Sequence, residues 1–308
     1  MDVICVGEMV IDFIPGNEPL SYICTAGGAP ANVAIAVSRN GFKAGFIGKV
    51  GNDNFGRFLI KTLEEDNVDF LCRELTSEAI TTMVFVTVFK DGERSFTFAQ
   101  KKGADKLLTI DDIDVELIRT CKIVHAGSCS LSANPASEAT RFALSKANEL
   151  GKLVSFDVNY RNLLWDNKAT AKNKVHEILP YIDILKISEE EADMVGGESN
   201  IFNIMKDNDI TLILETLGAD GAKCFFKDHI LHVAGRKTQA VDTTGAGDAF
   251  WGGFISNLLE QNVITKEQIT DDAILKAMNY GNIAGWHCVQ QKGAIPSLPT
   301  REQIIKHI

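Results

Sequence analysis

Nothing in this chain has the makings of a membrane span, since no stretch approaches the ~20 consecutive apolar residues that a bilayer core demands. The N-terminal run Val3-Ile4-Cys5-Val6-Gly7 is apolar, but Asp2, Glu8 and Asp12 interrupt it and no basic start precedes it. It does not read as a signal peptide. Basic blocks are missing too. With 31 basic against 41 acidic side chains the formal charge is −10, which speaks against nucleic acid as a partner. The cysteines at 5, 24, 72, 121, 129, 224 and 288 are odd in number and form no CxxC pair. Neither a disulfide framework nor a zinc site is expected, and the thiols suit a reducing cytoplasm. Also absent are the GxxxxGK[ST] of a Walker-type NTPase, a GxGxxG after the first strand, the protein-kinase catalytic loop and the GxSxG elbow of a serine hydrolase.

What is present suits a folded α/β protein. Across 308 residues, 45% hydrophobic and 23% charged, the chain can bury a large core as one big domain or two smaller ones. Strand-like runs at 3–6, 123–125, 153–156, 182–187 and 211–214 alternate with helical patterns at 29–38, 136–150, 167–179, 189–195 and 200–208. That alternation predicts right-handed crossovers and a mostly parallel sheet covered on both faces, with any ligand at the carboxyl ends of the strands. One region breaks the rhythm. Residues 79–89 are rich in Val, Phe and Thr, Asp91-Gly92 is a hairpin turn signal, and 95–98 alternates polar and aromatic. With residues 13–25 this hairpin is expected to form a small sheet, either a lid over a ligand or a homodimer contact.

Four segments carry candidate chemistry, and a fifth offers a further loop. In Asp242-Thr243-Thr244-Gly245-Ala246-Gly247-Asp248, two glycines leave backbone amides uncovered at the mouth of a helical run. Such amides, with the positive end of a helix dipole, attract anions. A carboxylate beside them can take a proton from a hydroxyl that attacks a phosphoryl group. Taken alone, the segment is equally a Gly-rich turn with Asp248 as an ordinary first-turn acid. Gly27-Gly28-Ala29-Pro30-Ala31-Asn32, with Asp12 brought alongside, suits a polyhydroxyl ligand, whose hydroxyls each need donor and acceptor partners. Asp12 as a loop acid and Asn32 as a capping group remain the plainer readings. Asp157-Val158-Asn159-Tyr160-Arg161 follows a strand and places Arg161 to clamp an anion or to make a surface ion pair. The acids of Ser188-Glu189-Glu190-Glu191 could hold Mg²⁺ through water or simply start a helix. Thr216-Leu217-Gly218-Ala219-Asp220-Gly221 offers a further bared loop for nucleotide phosphates, or a plain turn.

In order along the chain, Gly27 to Ala34, Gly48-Lys49-Val50-Gly51-Asn52-Asp53-Asn54-Phe55-Gly56 and Asp242 to Phe250 resemble the ribokinase-like sugar kinase family of the phosphofructokinase-B type. The resemblance runs from Gly7 to the closing Gly293-Ala294-Ile295-Pro296-Ser297-Leu298-Pro299, and within the family it is nearest to fructokinases. It implies a three-layer sandwich with a mostly parallel central sheet and a small β-sheet lid, in one kinase domain over 1–308. It implies ATP and Mg²⁺, with Asp248 as the catalytic base and the amides of Gly245, Ala246 and Gly247 as the anion hole. Asp12, Gly28 and Asn32 would hold the sugar, and Arg161 would reach the substrate or the phosphates. Glu191 would organise Mg²⁺, and Thr216, Gly218, Gly221 and Asn282 would contact ATP. Backbone carbonyls near Asp242 and Thr244 would take a monovalent cation, K⁺.

Two departures bear on the substrate. Ser188 stands where the family carries an asparagine, and Gln100 stands where fructokinases and keto-deoxygluconate kinases place an arginine. A neutral Gln100 counts against a sugar acid and, less strongly, against fructose. The expectation is a kinase for a sugar's primary hydroxyl, with fructose ahead of ribose, keto-deoxygluconate and nucleosides. A non-catalytic sugar sensor is the alternative from another class.

Overall fold

The alternation of apolar runs and helical segments becomes a nine-stranded sheet in the computed structural model, which describes residues 1–72, 74–88, 94–99 and 102–308. The strands in chain order are β1 (Val3–Val6), β2 (Val10–Pro15), β3 (Tyr22–Gly27), β4 (Ala44–Ile47), β5 (Val68–Phe70), β6 (Met83–Val88), β7 (Arg94–Phe98), β8 (Ile123–Gly127), β9 (Leu153–Asp157), β10 (Ile184–Ser188), β11 (Leu212–Thr216), β12 (Gly221–Phe226) and β13 (His229–Ala234). In space the large sheet runs β13-β12-β11-β10-β9-β8-β1-β4-β5. Pairing is parallel from β5 through β11, and at the edge β11 with β12 and β12 with β13 pair antiparallel, so only β12 is reversed.

The two-residue period of a strand builds a core on each face of this sheet. Val3 and Cys5 of β1 join one core and Ile4 and Val6 the other. Helices Ala29–Arg39, Ala246–Glu260 and Asp271–Cys288 cover the first face, and Ala136–Glu149, Lys168–Ile178 and Ile201–Asn208 cover the second. The expected three-layer sandwich is therefore observed. Gly252 shows how closely its helices approach, because a Cβ there would meet the Ala36 Cβ at 2.4 Å. Gly252→Val is accordingly expected to cost about 1–3 kcal/mol through overpacking. Urea titration should show a lower midpoint with an unchanged slope.

The small sheet has the order β3-β2-β6-β7: two antiparallel hairpins joined by a parallel pairing of β2 with β6. It differs from expectation at its edges. The strand expected from residue 79 starts at Met83, because Thr81 is held elsewhere: its amide and hydroxyl donate to Asp53 Oδ2 and Oδ1, both at 2.8 Å. Asp53 also caps helix Asn54–Glu65, accepting from the Gly56 amide at 2.8 Å. The 48–56 motif thus anchors the small sheet to the large one. Asp12, read as a loop acid, lies within β2. The Asp91-Gly92 turn and Gln100 lie outside the described residues. The residues expected to be helical at 189–195 wind instead as 3₁₀ turns. All seven cysteines are free, and among the described residues no helix is long and apolar enough to cross a membrane.

Candidate active site

A cavity of about 880 Å³ opens at the carboxyl ends of the central strands, and Val10, Asp12, Val84 and Phe98 of the small sheet form one of its walls. At its floor begins helix Ala246–Glu260. Gly245 caps it in the left-handed conformation with φ +79, and a Cβ there would sit 2.9 Å from the Ala294 Cα. Glycine is required on both counts. Gly245 and Gly247 line the cavity. Gly247 and Asp248, as first-turn positions, carry amides for which an α-helix supplies no acceptor. Ala246 departs from expectation. It does not line the cavity, and its amide donates to the Thr243 carbonyl at 3.2 Å, closing the turn.

Asp248 lies partly exposed in this first turn, on the cavity wall. The Asn32 Nδ2 donates to its Oδ2 at 2.7 Å across 216 residues of sequence, so the 27–32 loop and the helix mouth are one site. Loss of solvent pushes the Asp248 carboxyl up to about 6, against the pull of Asn32, and nearby Asp157 adds to the rise. Asp12 and Gly28 line the same wall. The structure therefore brings Asp12, Gly28, Asn32, Gly245, Gly247 and Asp248 together, as the sequence led us to expect.

Behind the helix mouth lies a buried ion pair that the sequence reading did not single out. Lys186 of β10 donates from Nζ to Asp157 Oδ2 of β9 at 2.8 Å, and a Cβ on Gly247 would lie 3.4 Å from that Nζ. Burial works to lower the Lys186 ammonium, yet Asp157 and then Glu191 hold it above its ordinary value. The signal was a single lysine inside the apolar strand Ile184-Leu185-Lys186-Ile187. Glu191 is buried, and both its oxygens are engaged: Oε1 accepts from the Tyr160 amide at 2.5 Å and Oε2 from the Ser188 amide at 2.9 Å. Burial, then Asp157, raises its pKa. Glu191 thus ties the ends of β9 and β10 together and Ser188 serves as a helix cap, while Glu190 faces the cavity. Arg161 is exposed at the rim and lines the cavity.

A second group of charges missed by the sequence reading lies where β1 ends. Glu8, Asp105 and Lys106 are all buried and all line the cavity. Lys106 Nζ donates to the Cys129 carbonyl at 2.7 Å and pairs with Asp105 at 3.2 Å, and the Thr82 hydroxyl donates to Asp105. Burial pushes the Glu8 carboxyl up to about 7.

The four expected nucleotide residues do not line this cavity. Thr216 ends β11 beside Ser188, and Gly218 follows with φ +56 and open space around its Cα. Gly221 and Asn282 are packed against β13 instead. A Cβ on Gly221 would come within 2.2 Å of the Val233 carbonyl, and Asn282 Nδ2 donates to the carbonyls of Val233 and Ala234 at 3.2 and 3.3 Å. Asp242 accepts from the Thr244 and Gly293 amides at 2.8 and 2.9 Å, which fixes the loop before the helix mouth.

Residues 1–301 match the pfkB family carbohydrate kinase model. Fructokinase-1 of Zea mays is 39% identical over 317 residues, covering 99% of this chain and 97% of that protein. Two solved structures superpose over 99% of the chain. One is a fructokinase from Vibrio cholerae O395 in a fructose, ADP and calcium ion bound form, with TM-score 0.89, 34% identity and 98% of that chain covered. The other is a fructokinase with bound ATP from Xylella fastidiosa, with TM-score 0.91, 29% identity and 97% covered.

Proposed function

The chain belongs to the pfkB family of carbohydrate kinases, and from that premise we propose that it transfers the γ-phosphoryl group of ATP to the primary hydroxyl of D-fructose, giving fructose 6-phosphate. The observation that carries the reading is the 2.7 Å bond between Asn32 and Asp248, which joins a polyol-type wall to a carboxylate in the first turn of a helix. The fructose and nucleotides in the similar structures support it.

Asp12, Gly28 and Asn32 hold the sugar so that its hydroxyl faces Asp248. As the hydroxyl attacks in line, Asp248 accepts its proton, and the Gly245 and Gly247 amides with the helix dipole stabilise charge on the transferring group. Arg161 at the rim meets the phosphates. Thr216 and Gly218 stand where a nucleotide crosses the strand ends, while Gly221 and Asn282 support that edge through β13. Mg²⁺ held mainly by phosphate oxygens needs only one or two protein carboxylates, which fits Glu190 on the wall and the buried Asp157 Oδ1, left without a hydrogen-bond partner among the described residues. Bound there, it would neutralise charge on the phosphates; Glu191 acts by positioning the strand ends. A K⁺ ion would use backbone carbonyls of the 242–244 loop. Residues 1–308 act as one kinase unit in a reducing, cytoplasmic setting. The exposed Tyr22 and Ile23 of β3 suit a second copy packing on the small sheet.

The test is ADP release over a panel of fructose, ribose, keto-deoxygluconate and nucleosides. Fructose should give the highest kcat/KM. Tight sugar binding without turnover of any of them would instead favour a sensor. The pH dependence is a second check. Asp248 must be ionised to accept a proton, and its carboxyl is raised to about 6. Thus kcat/KM should fall as pH drops through about 6 and level off above it. A profile flat down to pH ~4, the ordinary range of an aspartate, would contradict the assignment.

A further inference from the structure

Glu8 is the one buried carboxylate on the cavity wall whose second oxygen the described residues leave without a partner: Oε2 has no hydrogen bond, although the residue is only 7% exposed. A buried acceptor left unmade is costly, so such an atom calls for a ligand. The neighbouring cation does not fill the role. Lys106 sends its Nζ to the Cys129 carbonyl and to Asp105, and Asp105 receives the Thr82 hydroxyl. Position adds a second argument. A Cβ on Gly28 would lie 2.5 Å from the Glu8 carbonyl and 2.9 Å from the Met9 Cα, so the backbone of residues 8 and 9 crosses directly beneath the sugar loop.

We propose that Glu8 is a specificity-determining residue, whose Oε2 accepts a hydrogen bond from one hydroxyl of the bound sugar other than the one phosphorylated. The inference rests on the sugar-kinase reading of this cavity and deepens it. A carboxyl raised toward neutrality by burial suits the task, because a sugar hydroxyl both donates and accepts. The Lys106-Asp105-Thr82 chain then fixes the wall beside Glu8, and Asp248 is left to the reacting hydroxyl.

The experiment pairs Glu8→Met with fructose and a set of monodeoxy-fructoses, using the full chain and reading kcat and KM separately. For wild type, loss of one particular hydroxyl should raise KM by up to about tenfold, the effect of a hydrogen bond of about 1.5 kcal/mol or less. In Glu8→Met, which keeps the side-chain length but has no oxygen to accept, the KM for fructose should rise by a similar factor, with kcat little changed, and loss of that same hydroxyl should then add almost nothing. If the effect of Glu8→Met multiplies independently with the loss of every hydroxyl, Glu8 supports the wall without touching sugar and the proposal is overturned. A thermal melt of the variant identifies misfolding, in which case Glu8→Asp takes its place in the same cycle. Should wild type leave fructose unphosphorylated but turn over another neutral sugar, the substrate reading fails by itself. The cycle is then run on deoxy forms of that sugar, with the same two outcomes.

Discussion

Asp248→Asn is expected to lower kcat by about 10²–10⁴-fold, the usual contribution of a positioned general base, while fructose still binds. The substitution is isosteric. The introduced amide would keep an oxygen for the Asn32 donor that now reaches Asp248 Oδ2 at 2.7 Å, so the joint between sugar wall and helix mouth persists. What disappears is the group that takes the proton. The Gly245 and Gly247 amides and the helix dipole remain, so residual turnover should stay above that of ATP and fructose in water. Calorimetric titration with fructose and ADP-release kinetics separate the two quantities. A kcat within a few-fold of wild type would sink Asp248 as the base, and loss of fructose binding with it would mean that Asp248 mainly holds the sugar.

The contrast between what the sequence disclosed and what it hid follows from the range of each signal. Gly245, Gly247 and Asp248 are close neighbours in one motif whose meaning is local, since a left-handed glycine, a helix start and an acid need no distant partner to be read. The parallel sheet is legible for the same reason, because β8 to β11 are short continuous apolar runs with helical spacers. The β12–β13 edge is harder to see. Its turn places Lys227 at φ +54, a conformation usually announced by glycine or asparagine, and no such residue marks it. Helix Asp271–Cys288 was not anticipated either, since it is buried along much of its length and lacks a clear polar face. Lys186, Glu8 and Lys106 acquire meaning only from partners on other strands and loops. Lys186 and Glu8 are lone charges in or beside apolar stretches, and Lys186 finds Asp157 across 29 residues. The nucleotide loop illustrates the opposite error. Gly221 looks like a bared amide in sequence, yet the return of β13 covers it.

Lys186→Met should be the most destabilising single change in the site. Lys186 is 5% exposed and Asp157 only 2%, so removing the ammonium strands a carboxylate that already has one oxygen without a partner. Breaking a buried pair in this way costs about 3–5 kcal/mol. The double change Lys186→Met with Asp157→Asn removes both charges and should lose less than the sum of the single changes, a coupling that a thermodynamic cycle in urea measures directly. Purely structural damage would end there. Lys186, however, also draws the Asp248 carboxyl downward while burial and Asp157 raise it. Without the ammonium the Asp248 carboxyl should titrate above its present value of about 6, moving the acid limb of kcat/KM to higher pH. In the double variant Asp157 no longer pushes upward either, so the limb should move part of the way back. Stability lost with an unmoved pH limb would confine the pair to holding β9 against β10. A limb that moves in both variants as described ties the buried pair to the proton transfer at Asp248.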